Sequence, residues 1–224
     1  MYWILFVGIA LVSYLVQSNL KRKFEEYSKV PVASGMTGAE VAQKMLRDNG
    51  IVDVKVQPHE GWLTDHYDPT AKTVNLSRDV FYSTSVASAA VAAHECGHAV
   101  QHARAYSFLK LRSALVPAVQ FTSNIVGWVL LGGILLVNVF PALLLVGILM
   151  FALSTLFSFV TLPVEIDASK RASRWLQGAG ITSSSEHTMA IDALKSAAYT
   201  YVVAALASLA TLVYYVAVYM SRRE

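Results

Sequence analysis

Residues 113–164 read SALVPAVQFTSNIVGWVLLGGILLVNVFPALLLVGILMFALSTLFSFVTLPV, without one Asp, Glu, Lys, Arg or His. A bilayer-spanning helix needs about 20 predominantly apolar residues, so this run suits two spans and a short turn. Asn138 and Pro141 mark the turn, because Asn tolerates turn geometry and proline opposes helix continuation. A helical hairpin returns the chain to the side it left. Residues before 113 and after 164 are therefore expected on one face of a mainly α-helical membrane protein.

Two further charge-free stretches extend this reading. The first, Tyr2–Val16, is soon followed by Lys21, Arg22 and Lys23. A secretory signal places its basic residues before the apolar run and a small-residue cleavage site after it. The reversed order here predicts an uncleaved N-terminal anchor over residues 1–20. The other stretch, Ser196–Ser221, is long enough for a last span before Arg222 and Arg223. Four transmembrane helices are expected. Residues 21–112 and 165–195 then share one side with 16 of the 18 Lys and Arg, which predicts a cytoplasmic polar region in a multi-pass cell-membrane protein. Arg222 and Arg223 argue the other way.

Composition agrees. Of 224 residues, 55% are hydrophobic and only 15% charged, with a mean hydropathy of +0.47, against about 25% charged in soluble domains. This excludes a disordered chain and a nucleic-acid-binding module. The net charge of +3 is too small to argue for an anionic polymer as partner. A single cysteine, Cys96, excludes an intramolecular disulfide and an all-cysteine zinc site.

Residues 36–112 read as a small α+β domain. Thr37-Gly-Ala-Glu40 is a capping box opening a helix, with Gly50 as its stop. Val52, Val54 and Val56 alternate as on a half-buried strand. Gly61–Asp65 and Thr73–Ser77 are expected as a hairpin around residues 67–72, with Thr73–Ser77 the edge strand that pairs with an extended peptide. Residues 83–105 predict a long Ala-rich helix.

That helix carries Ala93-His94-Glu95-Cys96-Gly97-His98-Ala99, an H-E-x-x-H sequence. Side chains four apart share one helical face, so His94 and His98 can converge on one zinc ion. Glu95 lies about 100° round the helix, where it can act as general base toward a zinc-activated water. Gly97 keeps the helix thin where other backbone approaches. Such a motif also arises by chance on helix surfaces, but two histidines and a glutamate in an apolar setting are costly unless used.

A zinc site needs a third protein ligand and an open position. Glu165 is the first charge after the 52 neutral residues, delivered by the hairpin to the side of the motif. The alternative is an acid at an interfacial helix N-terminus. Asp167 is a second candidate ligand, or an acceptor that orients a ligating histidine. His102 lies two turns from His94, too far for the same ion, which leaves it a satisfied polar role or a place in the site wall. His59, His66 and His187 read as surface histidines. Tyr67, His187, Tyr199 and Tyr201 are open candidates for an electrophile. Cys96 reads as a small helix residue, and Arg171 and Arg174 as solvated or headgroup-facing.

The runs Asp65-His-Tyr-Asp-Pro69, Val74-Asn-Leu-Ser77, Ala92–Gln101 and Leu162-Pro-Val-Glu-Ile-Asp-Ala-Ser169 resemble the bacterial membrane-bound neutral zinc metallopeptidases of the YugP type over nearly the whole chain. The chain is more distantly similar to HtpX-type membrane proteases. The resemblance implies a gluzincin-like, zinc-dependent membrane peptidase with a zincin-like α+β region over residues 21–112, His94 and His98 as ligands and Glu95 as catalytic base. In the HtpX-type pattern an aspartate follows the glutamate ligand by four residues. Here position 169 is Ser and the acid is Asp167, so Glu165 remains the third ligand and Asp167 has no assigned role. The expectation is an integral membrane zinc endopeptidase acting on peptides or membrane proteins near the membrane surface. The alternatives are a protease cutting inside the bilayer, or a non-enzymatic metal transporter or scaffold.

Overall fold

The computed structural model describes residues 2–61 and 64–221. Trp62 and Leu63 of the expected first hairpin strand, and Arg222 and Arg223, lie outside the described residues. The elements are α1 (Tyr2–Tyr27), α2 (Gly38–Asp48), β1 (Lys55–His59), β2 (His66–Asp68), β3 (Thr73–Ser77), α3 (Arg78–Phe81), α4 (Val86–Ala103), α5 (Ser107–Ser123), α6 (Val126–Leu135), α7 (Pro141–Gly178) and α8 (Ser184–Met220). The protein is mostly helical, with one small mixed sheet. Among the described residues three helices are long and apolar enough to cross a membrane: Trp3–Tyr27, Pro141–Gly178 and Ser184–Met220. The α5–α6 pair, bent by 49° at its break, makes a fourth if it counts as one span.

The chain divides into two compact units, Met1–Tyr106 with Val164–Thr200, and Ser107–Pro163 with Tyr201–Glu224. In the first, α2 starts with the capping box read from the sequence. The Thr37 side chain accepts from the Glu40 N–H, and the Glu40 carboxylate accepts from the Thr37 N–H at 2.8 Å. Gly50, at φ 72°, follows the helix end in the left-handed region that favours glycine. Helix α4 starts at Ser85, whose hydroxyl accepts from the Ser88 N–H. It is buried on nearly every side. Alanines at 89, 90, 92, 93 and 99 pack with Val41, Ala42 and Met45 of α2, Val74 and Leu76 of β3, and Ala172 and Leu176 of α7. Small side chains let these elements approach, which is why the Ala-rich stretch lies at the centre.

The sheet order is β1-β3-β2, with β1 parallel and β2 antiparallel to β3. Thr73–Ser77 is thus the central strand, not the expected edge. All five of its residues are buried, and both of its sides are taken by backbone partners. The hairpin's first strand is His66–Asp68 rather than Gly61–Asp65. The Asp68 carboxylate accepts from the N–H groups of Thr70 and Ala71, an Asx turn that draws the reversal tight. β1 begins at Lys55, after Val52, which is 89% exposed.

In the second unit, α6 and the start of α7 form a hairpin whose turn falls at residues 136–140, around the expected Asn138 and before Pro141. Leu130, Val137, Leu144 and Ile148 make its core. Thr155 and Ser208 hydroxyls meet at 2.7 Å, a polar contact of the kind that joins helices in lipid. At the break between α5 and α6, the hydroxyls of Thr122 and Ser123 turn back onto the carbonyls of Ala118 and Gln120, side-chain bonds that compete with helix continuation; Pro117 lies within α5, which continues past it to Ser123.

Candidate metal centre and active site

Helix α4 presents His94 and His98 one turn apart, their rings 4.8 Å between centroids and nearly perpendicular. Helix α7 runs uninterrupted through Pro163, so Glu165 is mid-helix rather than at the helix N-terminus that one reading allowed. The close approach of the two helices is made at Gly97. A Cβ there would meet the Ala168 carbonyl oxygen at 2.6 Å, so the glycine lets α7 lie against α4, as its place in the motif suggested. Glu165 is 3% exposed, and its Oε2 lies 3.3 Å from His94 Nε2 and 3.5 Å from His98 Nε2.

These separations also leave the three residues able to share a cation. Donors bound tetrahedrally to zinc at about 2.0–2.1 Å stand roughly 3.4 Å apart, and both distances sit there. All three donor atoms lie within 4.8 Å of one another. Burial draws the His98 pKa down, yet the Glu165 carboxylate, which accepts from the protonated ring, and the charges of Glu95 and Glu165 outweigh it and raise it. A negative field that favours a proton at this point also favours a metal cation.

Glu95 is buried in the same helix, on the face that carries Ser88 and Val91 toward the N-terminus. Those two residues, with Asp65 and Ser77, line a cleft of about 540 Å³ along that half of α4. Asp65 accepts from the Ser77 N–H at 2.7 Å. Burial pushes its carboxyl pKa up, the Ser77 hydrogen bonds oppose this, and the nearby Glu95 charge adds to the rise.

The remaining candidates are distributed around this centre. Asp167 is not at the donor cluster; its Oδ2 accepts from Gln101 Nε2 at 2.9 Å and from Arg171 Nε at 2.6 Å. Arg171 is thereby engaged rather than solvated, and its guanidinium also stands over the Tyr106 ring. His102 Nδ1 bonds the Tyr67 hydroxyl at 2.8 Å, which satisfies both groups. His187 is no simple surface histidine, since its Nδ1 is buried without a hydrogen-bond partner among the described residues. Tyr199 is largely exposed. Cys96 is wholly buried against the Ala42 carbonyl, and burial raises its pKa, which leaves the thiol inert.

Three residues were given no role by the sequence reading, although they lie in the runs quoted for the family resemblance: Gln101, Ser169 and Asp65. Gln101 is fully buried and joins His98 Nδ1 to α7. Ser169 Oγ lies 3.1 Å from His94 Nδ1. A signal was present for Gln101, because positions 94, 98 and 101 share one helical face. An amide on that face of an apolar helix has to find buried partners.

Two helical histidines and a glutamate from a second helix thus form a cluster that could hold a metal ion, of donor types that zinc accepts. Residues 2–220 match the family described as "Putative neutral zinc metallopeptidase", and the chain belongs to that family. It is similar to the "Putative membrane protease YugP" of Bacillus subtilis (strain 168), with 42% identity over 222 residues, 98% of each chain. No solved structure matches it.

Proposed function

We propose that the protein is an integral membrane zinc endopeptidase of four spans, with a zincin-like domain and an active site at the cytoplasmic membrane surface. The observation that carries this reading is the convergence of His94, His98 and Glu165, whose donor atoms lie within 4.8 Å of one another and could hold a metal ion. Zinc, when bound by these three, supplies Lewis acidity toward a peptide carbonyl and makes a water nucleophilic at neutral pH. Glu95 takes the proton of the attacking water and passes it to the leaving amine. The burial of Glu95 supports that role by keeping its carboxylate out of bulk solvent.

Three helices support a site at the membrane edge. Glu165 is the first charge after the apolar run of α7. Asn19, just before the basic Lys21–Lys23 of α1, lies 3.5 Å from Ser196, just after Lys195 of α8. The apolar parts of α1 and α8 therefore begin at one level. Substrates are peptides or membrane proteins cut close to the bilayer, with the lipid bilayer itself as the surrounding partner and no nucleic acid involved.

The test is hydrolysis of an unfolded protein by the detergent-purified chain beside its Glu95→Gln variant, with zinc measured in both. General acid–base groups contribute typically 10²–10⁴-fold. The variant should lose activity by about that factor and keep its zinc. Equal activity in the two, or a parent that binds no zinc, refutes the proposal.

A further inference from the structure

We propose that Gln101 is a positioning residue that fixes which nitrogen of His98 is free to bind metal and ties that histidine to the segment bearing Glu165. The inference rests on the zinc-peptidase reading above and deepens it. Gln101 is fully buried, so each of its polar atoms needs a partner. Its Nε2 lies 2.8 Å from the Val164 carbonyl oxygen and 2.9 Å from Asp167 Oδ2. Both of those groups only accept, so the amide nitrogen must face them. Reversing the amide would set its oxygen against a carbonyl and a carboxylate.

The carboxamide oxygen is then the atom that faces His98 Nδ1, at 3.1 Å. An amide oxygen cannot donate, so Nδ1 must carry the hydrogen. In the neutral imidazole, Nε2 is left with its lone pair aimed at the Glu165 cluster. The tautomer a metal requires is thus dictated by a chain of fixed donors and acceptors. Arg171 Nε, donating to the same Asp167 oxygen at 2.6 Å, holds the far end in place.

The arrangement also explains Asp167. It acts on His98 through Gln101, not by direct contact. Val164 immediately precedes Glu165, so one side chain sets the orientation of one proposed ligand and anchors the backbone beside another. Ser169 differs in kind. A hydroxyl both donates and accepts, so its contact with His94 Nδ1 does not select a tautomer.

The experiment uses ¹⁵N-histidine-labelled full-length protein in detergent. Nitrogen shifts of zinc-loaded parent are recorded, and zinc affinity is measured by chelator competition for parent and for Gln101→Leu. The expected results are a proton on His98 Nδ1 in the parent and a zinc affinity lower by roughly 10- to 100-fold in the variant. In metal-free Gln101→Leu, proton occupancy should spread to Nε2. A parent carrying the His98 proton on Nε2 overturns the proposal without any variant having to fold. A variant with parental affinity and tautomer overturns it while leaving the zinc site standing. A parent that binds no zinc removes the reading on which it rests, and the proposal with it.

Discussion

Gly97→Ala should weaken zinc binding without touching any ligand. An added Cβ would stand 2.6 Å from the Ala168 carbonyl oxygen and 3.1 Å from that residue's carbonyl carbon and Cα. Those atoms are helix backbone, so no side chain can swing aside. Restoring ordinary contact requires α7 to withdraw by about 0.8 Å. Ala168 is one turn past Glu165, which would move with it. Zinc sites tolerate about 0.2 Å in ligand distance, so the helices must be pressed together again when metal binds. Overpacking of this kind costs about 1–3 kcal/mol. If the metal-free protein relaxes and the loaded protein cannot, the strain appears as a loss of affinity of ~5- to 150-fold. Chelator competition on purified Gly97→Ala reads this directly, and peptide hydrolysis at limiting zinc should fall in parallel. Gly178→Ala is the control, because nothing lies within 4 Å of a Cβ there. Parental zinc affinity in Gly97→Ala would refute the argument that this contact sets the ligand spacing.

The other expectations concern the ligand choice and the α2 cap. Glu165→Gln should purify with little zinc, whereas Asp167→Asn, whose side-chain oxygen can still accept from Gln101 and Arg171, should retain it; metal analysis giving the reverse pattern would exchange their roles. The Thr37 N–H, and then its hydroxyl, hold the Glu40 carboxyl below its ordinary pKa of 4.5. A depressed folded-state pKa means that the cap's contribution is full above pH 4.5 and fades as pH falls through the folded value. Protection of the first amides of α2, measured as hydrogen exchange relative to the intrinsic rate at each pH, should therefore fall on acidification in the parent and lose that dependence in Glu40→Gln. An unchanged acid response in the variant would show that another group is responsible.

Local rules made the cap of α2, the turn before Pro141 and the shared face of His94 and His98 legible from sequence, because each depends on neighbours within a few residues. The long neutral run told equally well that Glu165 would return beside the motif, since hairpin topology follows from length and polarity alone. Strand neighbours were not legible. Thr73–Ser77 reads alike as an edge or a centre, and only its pairing with both β1 and β2 made it central. Asp167 and Gln101 show the same limit at the site. They are 66 residues apart, and neither the amide's orientation nor the tautomer it imposes exists until α4 and α7 pack. The sequence by itself determined which side chains offer metal-ligating donors and which helix faces carry them. The tertiary structure decided which donor meets which acceptor, because hydrogen-bond partners across helices are set by the distance of backbone approach, and that distance was fixed by one glycine against one carbonyl.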